Sequence, residues 1–273
     1  MARFFVVPQW QGSPAARAML LSEGANLIAG DLPRAHTQTL DVPLAAGDSL
    51  GSGVLRKSAI ARTQALVGEA LREHPTQTPI VIGGDCSITV GALAALTGGT
   101  DDLAVVWCDA HPDLHTPATS PSGAFSGMAL RAALGHGAAD LILNPGLDPE
   151  RVVLVGARSV DAGEEQALAD LPLRRVAASD LSDAGVLAEA VAATGARRVY
   201  VHIDVDVIDP SELGGISDPA PFGAAVAELT AAIKGLRERM PLAGATLAGF
   251  APRSPADAVH DLGSLLRLVG AVA

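Results

Sequence analysis

The chain has 273 residues, of which 49% are hydrophobic, 18% charged and only 3% aromatic. It is long enough for one large α/β domain and too apolar for a disordered polymer. A formal net charge of -11 opposes binding to nucleic-acid phosphates or anionic lipid, and the few aromatics argue against a base-stacking surface.

The N-terminal apolar run, residues 3–7, reads as a strand and is too short for a signal-peptide core. No stretch reaches the roughly 18 apolar residues that span a bilayer, so no membrane association is expected. Residues 55–73 place Leu55, Ile60, Ala61, Ala65, Leu66 and Leu71 near one helical stripe. Bare apolar runs follow at 79–82, 103–107, 152–155, 199–203 and 246–250, with helical spacing at 224–239 and 257–272. Apolar runs alternating with helices predict right-handed βαβ units and a three-layer α/β fold around a mostly parallel sheet. Residues 1–273 read as one domain without a linker. Two cysteines, Cys86 and Cys108, are too few for a disulfide framework and read as reduced thiols in a cytoplasmic protein.

Three strand ends carry the chemistry. One run leads into Gly83-Gly84-Asp85-Cys86-Ser87, a second into Asp109-Ala110-His111-Pro112-Asp113, and a third into Asp204-Val205-Asp206. Residues two apart share a face of an extended chain, so Asp109, His111 and Asp113 converge if the backbone stays extended, as do Asp204 and Asp206. Carboxylates gathered at apolar strand ends need compensating cations. Neither segment has Lys or Arg within several residues. Metal is therefore favoured over an Arg/Lys network, and the carboxylate-rich donors with an imidazole suit Mn²⁺-like ions. They exceed what one Zn²⁺ needs and fit two bridged ions.

These motifs resemble those of the ureohydrolase family, the arginases, agmatinases and their relatives. The family pattern is Gly-Gly-Asp-His-Ser, Asp-Ala-His-x-Asp and Asp-x-Asp-x-x-Asp-Pro, and the likeness spans nearly the whole chain. The resemblance implies an arginase-type fold and two Mn²⁺ ions, other divalent metals also being admissible. It assigns Cys86, Asp109, His111, Asp113, Asp204 and Asp206 as ligands, with Asp109 and Asp204 bridging. Cys86 and Asp113 would complete one ion, and His111 and Asp206 the other. A metal-activated water would attack a guanidino carbon, with Asp113 orienting it and passing a proton to the leaving amine. By the same resemblance, His115 and Ser122 lie on the segment that holds a substrate's α-carboxylate, and Asp161 and Glu164 on the segment that meets its α-amino group. Without that role, Asp161 and Glu164 would simply cap or solvate a helix start. The implied partner is a small guanidino or hydroxyguanidino amino acid, and homo-oligomerisation is compatible with the family.

Three positions depart from the family pattern. Cys86 replaces a ligand histidine, bringing a softer, anionic donor that favours Zn²⁺ or Fe²⁺ and lowers Lewis acidity. Gly249 stands where the family usually has the glutamate that pairs with a guanidinium; burying that cation unpaired is costly. Ser126 replaces a histidine that acts as proton shuttle, a role His115 is the nearby candidate to take. Cys108 matches no ligand position and reads as packing. Together the departures resemble the branch of the family that hydrolyses N(ω)-hydroxy-L-arginine to hydroxyurea and L-ornithine in D-cycloserine biosynthesis. An N-hydroxyguanidine is less basic, enters neutral, and needs the room a glycine leaves. The competing readings are an ordinary guanidino hydrolase, an inactive relative serving as a binding subunit, and a single-zinc deacetylase, the last poorly matched by so many acids.

Overall fold

The computed structural model describes residues 1–96, 99 and 101–273. Among the described residues, eight strands form one sheet: β1 (Ala2–Val6), β2 (Thr37–Thr39), β3 (Thr78–Ile82), β4 (Leu103–Cys108), β5 (Val152–Val155), β6 (Arg174–Val176), β7 (Arg198–Asp204) and β8 (Leu242–Ala248). Their order is β2-β1-β3-β8-β7-β4-β5-β6. Every pairing between these strands is parallel, so the sheet is wholly rather than mostly parallel. The six apolar runs all become strands because a parallel sheet covered on both faces buries every residue of its central strands, as in Leu103–Cys108. The last strand begins earlier than the run at 246–250 and stops at Ala248, leaving Gly249 and Phe250 beyond its end. The edge strands β2 and β6 carry Thr, Gln and Arg and have no apolar run to announce them.

Among the described residues, eight α-helices cover the sheet: α1 (Leu20–Gly30), α2 (Lys57–Arg72), α3 (Ile88–Ala94), α4 (Ala129–Ala133), α5 (Ala162–Asp170), α6 (Val186–Ala192), α7 (Val226–Arg239) and α8 (Pro255–Val272). Alternate strand residues feed two separate cores. Val106, Val201 and Ile203 pack with α1, α6, α7 and α8, whereas Val105, Trp107 and Tyr200 pack with α2, α3 and α4. The result is the expected three-layer α/β architecture. The apolar stripe of α2 differs from expectation. Ile60, Thr63, Val67 and Leu71 face the core, Ala65 is exposed, and Leu55 lies before the helix and is 40% exposed. Spacings of three and four from Ile60 select this set, whereas counting from Leu55 rotates the stripe away from it.

Because all strands point the same way, the ends of β3, β8, β7 and β4 lie side by side at one edge of the sheet. The loops that leave them carry Cys86, Gly249, Asp206 and Asp109 respectively. Such carboxyl-end loops are where open parallel sheets build ligand sites.

Candidate metal centre

The turn after β3 depends on Gly83, with φ of 95°. A Cβ there would stand 2.1 Å from the Ala25 methyl of α1, so a side chain would force the sheet and helix apart. The turn delivers Asp85 and Cys86 into the interior. Asp85 accepts hydrogen bonds from Gly12 N–H (2.9 Å) and from the Ser87 hydroxyl and N–H, which ties the N-terminal loop to the site. Burial raises its carboxyl above the ordinary range, against those hydrogen bonds.

Convergence of the Asp109 motif is achieved by a turn rather than by extended alternation. β4 ends at Cys108, and Asp113 sits in the left-handed region with φ of 55°, which Asp tolerates better than most residues. Likewise Asp204 closes β7, while Asp206 lies in a 3₁₀ turn whose start Asp204 caps by accepting from Asp206 N–H.

The donors form two groups that share Asp109. Cys86 Sγ lies 3.0 Å from Asp204 Oδ2 and 3.6 Å from Asp109 Oδ2, and donor atoms of Cys86, Asp109 and Asp113 all fall within 4.8 Å of one another. In the second group, His111 Nδ1 is 2.8 Å from Asp206 Oδ2 and 3.5 Å from Asp109 Oδ1. Asp206 Oδ1 accepts from Ala110 N–H at 2.8 Å, and Asp109 Oδ1 from His111 N–H at 2.7 Å. Asp109, Asp113, Asp204 and Asp206 are all buried.

Their electrostatics are those of an anion cluster short of cations. Burial, then repulsion from Asp206, pushes Asp204 up to about 7. Burial and Asp109 push Asp206 to about 7 as well. Burial and Asp109 raise Asp113 well above the carboxylate range, and burial with the neighbouring aspartates raises the Cys86 thiol. Burial works against the His111 cation, yet its bonds to Asp109 and Asp206 hold its pKa near 12. Among the described residues, no Lys or Arg makes an ion pair with these four carboxylates. Asp113 Oδ2 is buried with no hydrogen-bond partner among the described residues. An orphaned buried carboxylate oxygen amid acids, an imidazole and a thiol fits divalent cations.

These donors line one cavity of about 370 Å³, together with His115, Ser122, Ser126, Asp161, Glu164 and Gly249. His115 is buried, with Nε2 2.9 Å from Asp161 Oδ2 and Nδ1 3.2 Å from Thr119 Oγ1. Asp161 also caps α5, its Oδ1 accepting from Gly163 N–H (2.8 Å) and Glu164 N–H (3.2 Å). Glu164 Oε1 accepts from Leu114 N–H at 3.0 Å. Gly249, with φ of 86°, lies against the metal end; a Cβ on it would stand 2.1 Å from Asp204 Oδ1. Cys108 is buried on the opposite face of the sheet, packed among apolar side chains.

Two contributors were not singled out from the sequence. Arg158 reaches from the end of β5 and bonds the carbonyls of Asp206 (2.7 Å), Ala220 (2.8 Å), Pro221 (2.9 Å) and Gly156 (3.0 Å), clamping the Asp206 loop. Asp218, in the glycine- and proline-rich loop that follows, brings Oδ2 to 3.7 Å from His111 Nε2.

The sequence profile of the arginase family matches residues 17–261. The chain is 33% identical to the arginase of Bacillus caldovelox over 213 residues, covering 72% of this chain and 71% of that protein. It is 38% identical to the arginase of Staphylococcus aureus strain COL over 145 residues, 50% of this chain and about half (48%) of that protein's length. In structure it is similar to the Entamoeba histolytica arginase bound to L-ornithine, with a TM-score of 0.86 at 22% identity, over 99% of this chain and 97% of that one.

Proposed function

This chain belongs to the arginase family of guanidino and amidino hydrolases, and we propose that it hydrolyses N(ω)-hydroxy-L-arginine to hydroxyurea and L-ornithine. Residues 1–273 act as one domain holding a pair of divalent ions, manganese by family resemblance. Cys86, Asp109, Asp113 and Asp204 would hold one ion, and Asp109, His111, Asp204 and Asp206 the other. When bound, such a pair neutralises the clustered carboxylates and makes a water acidic enough to attack a carbon at neutral pH.

The chain's own groups do the rest. Asp113 Oδ2, buried and without a partner, accepts the attacking water's proton and returns it to the departing ornithine nitrogen. Asp161 and Glu164 present carboxylates to the substrate's α-amino group, and Ser122 and His115 face its α-carboxylate. His115, bonded to Asp161 at 2.9 Å, exchanges protons with solvent in place of the histidine missing at Ser126.

The observation that carries the substrate assignment is Gly249. Gly249 itself brings no carboxylate to the metal end of the cavity, so a guanidinium entering there lacks the acid that the family usually supplies at this position. An N-hydroxyguanidine enters uncharged and avoids that penalty. The activity would place the protein in D-cycloserine biosynthesis, as its departures from the family pattern imply. The arginase relatives favour the second reading, hydrolysis of plain arginine. Manganese-loaded protein offered L-arginine, N-hydroxy-L-arginine and agmatine in parallel, with ornithine or putrescine measured, separates the two. N-hydroxyarginine should be turned over at least tenfold faster than arginine; equal or faster turnover of arginine refutes the assignment.

A further inference from the structure

His202 belongs to none of the motifs above. It lies in the middle of β7, fully buried, its ring packed against Trp107 with centroids 3.8 Å apart and the planes tilted by 32°. Strand alternation points it to the same face as Asp204, one row deeper in the sheet. Its Nδ1 is 2.9 Å from the Thr89 hydroxyl of α3, while its Nε2 has no hydrogen-bond partner among the described residues. That Nε2 lies 3.9 Å from Asp109 Oδ2, and a ring nitrogen of His202 clusters with donor atoms of Cys86, Asp109 and Asp113, all within 4.8 Å of one another.

Two distances decide what the ring nitrogen faces. A hydrogen bond would bring N and O to about 2.7–3.2 Å, and 3.9 Å is too long. Bonds of about 2.0–2.2 Å from one ion to a nitrogen and to an oxygen span up to about 4.3 Å when they oppose each other, so the separation suits two donors on a common ion. The neighbouring pair meets the same test. Bonds of about 2.3 Å to sulfur and about 2.1 Å to oxygen at a tetrahedral angle put the two donors about 3.6 Å apart, and Cys86 Sγ to Asp109 Oδ2 is 3.6 Å.

We propose that His202 is a further ligand of the ion assigned to Cys86, Asp109, Asp113 and Asp204, binding through Nε2 from the floor of the site. Thr89 Oγ1 accepts from Nδ1–H, which fixes the tautomer and leaves the Nε2 lone pair for the metal. The subsite thus keeps an imidazole although position 86 supplies a thiol, and its mixed sulfur, nitrogen and oxygen donors suit Zn²⁺. This inference rests on the metal centre proposed above.

The test is zinc titration of the full chain, stripped of metal and labelled with ¹⁵N-histidine, followed by long-range ¹H–¹⁵N spectra. At saturation, two imidazoles should carry metal-shifted, unprotonated nitrogens, His111 and His202, with the His202 proton on Nδ1. A proton retained on His202 Nε2 in the zinc-saturated protein overturns the inference while leaving the metal centre standing. Failure to take up any zinc overturns both. His202→Gln should weaken one zinc equivalent by more than about 100-fold, beyond the 10- to 100-fold of a residue that only supports a ligand; a smaller loss also overturns it.

Discussion

Gly249 governs the metal end of the site through what it lacks. Its backbone is left-handed, and the Asp204 carboxylate occupies the space a side chain would need. Gly249→Ala should therefore push Asp204 aside, weaken manganese binding at least tenfold, and destabilise the fold by about 1–3 kcal/mol through overpacking and backbone strain. Calorimetric titration with manganese and urea denaturation read both effects; unchanged affinity would show that Asp204 is not held there. Asp161 offers a cleaner separation of roles, since asparagine caps helices as well as aspartate does. Asp161→Asn should keep stability within about 0.5 kcal/mol while raising KM or lowering kcat, because His115 and the cavity lose a charge. Equal kinetics would reduce Asp161 to a helix cap. At this scale the clustering of the proposed donors was legible in the sequence, since aspartates crowded at apolar strand ends with no Lys or Arg nearby call for a cation. His202 was not, because a single polar residue inside the apolar run at 199–203 reads as a buried exception until its unpaired nitrogen is seen.

At the scale of elements, the site depends on four strand ends held in register and on one clamp. The central strands were legible because burial on both faces leaves bare apolar runs, whereas β2 and β6 at the sheet edges carry too few apolar residues to signal themselves. The turns were not legible either. Alternation predicts an extended Asp109–Asp113 segment, but the backbone reverses through left-handed Asp113, a local choice that periodicity cannot encode. Arg158 shows why the following loop holds its shape: one guanidinium satisfies carbonyls of Asp206, Ala220, Pro221 and Gly156. Lysine has neither the reach nor the planar fork. Arg158→Lys should cost about 2–3 kcal/mol and lower manganese affinity through a looser Asp206. A shift in the urea midpoint without any change in metal binding would mean that the clamp serves the fold alone.

For the molecule as a whole, acid stability and metal content report on the same edge of the sheet. Asp209 anchors the loop beyond Asp206, accepting from the Ser211 hydroxyl (2.6 Å) and from the N–H groups of Ser211 and Gly223 (both 3.0 Å). These bonds pull its carboxyl from 3.8 down to about 2. The folded pKa lies below the unfolded one, so the stabilisation is fully present above 3.8 and is lost as pH falls through about 2. Asp209→Asn should flatten the acid limb of stability within that window, measured by urea titration at pH 5 and pH 3; an unchanged limb would place the acid sensitivity elsewhere. No helix among the described residues is long and apolar enough to cross a membrane, and the acidic surface expected from a net charge of -11 suits the gathering of cations. The central claim, a two-ion centre built on a shared Asp109, is tested most directly by counting metal. Protein stripped with chelator, reloaded with manganese and analysed by plasma mass spectrometry should hold close to two ions per chain, and Asp109→Asn no more than one. One ion or none on the unmodified chain would contradict the account.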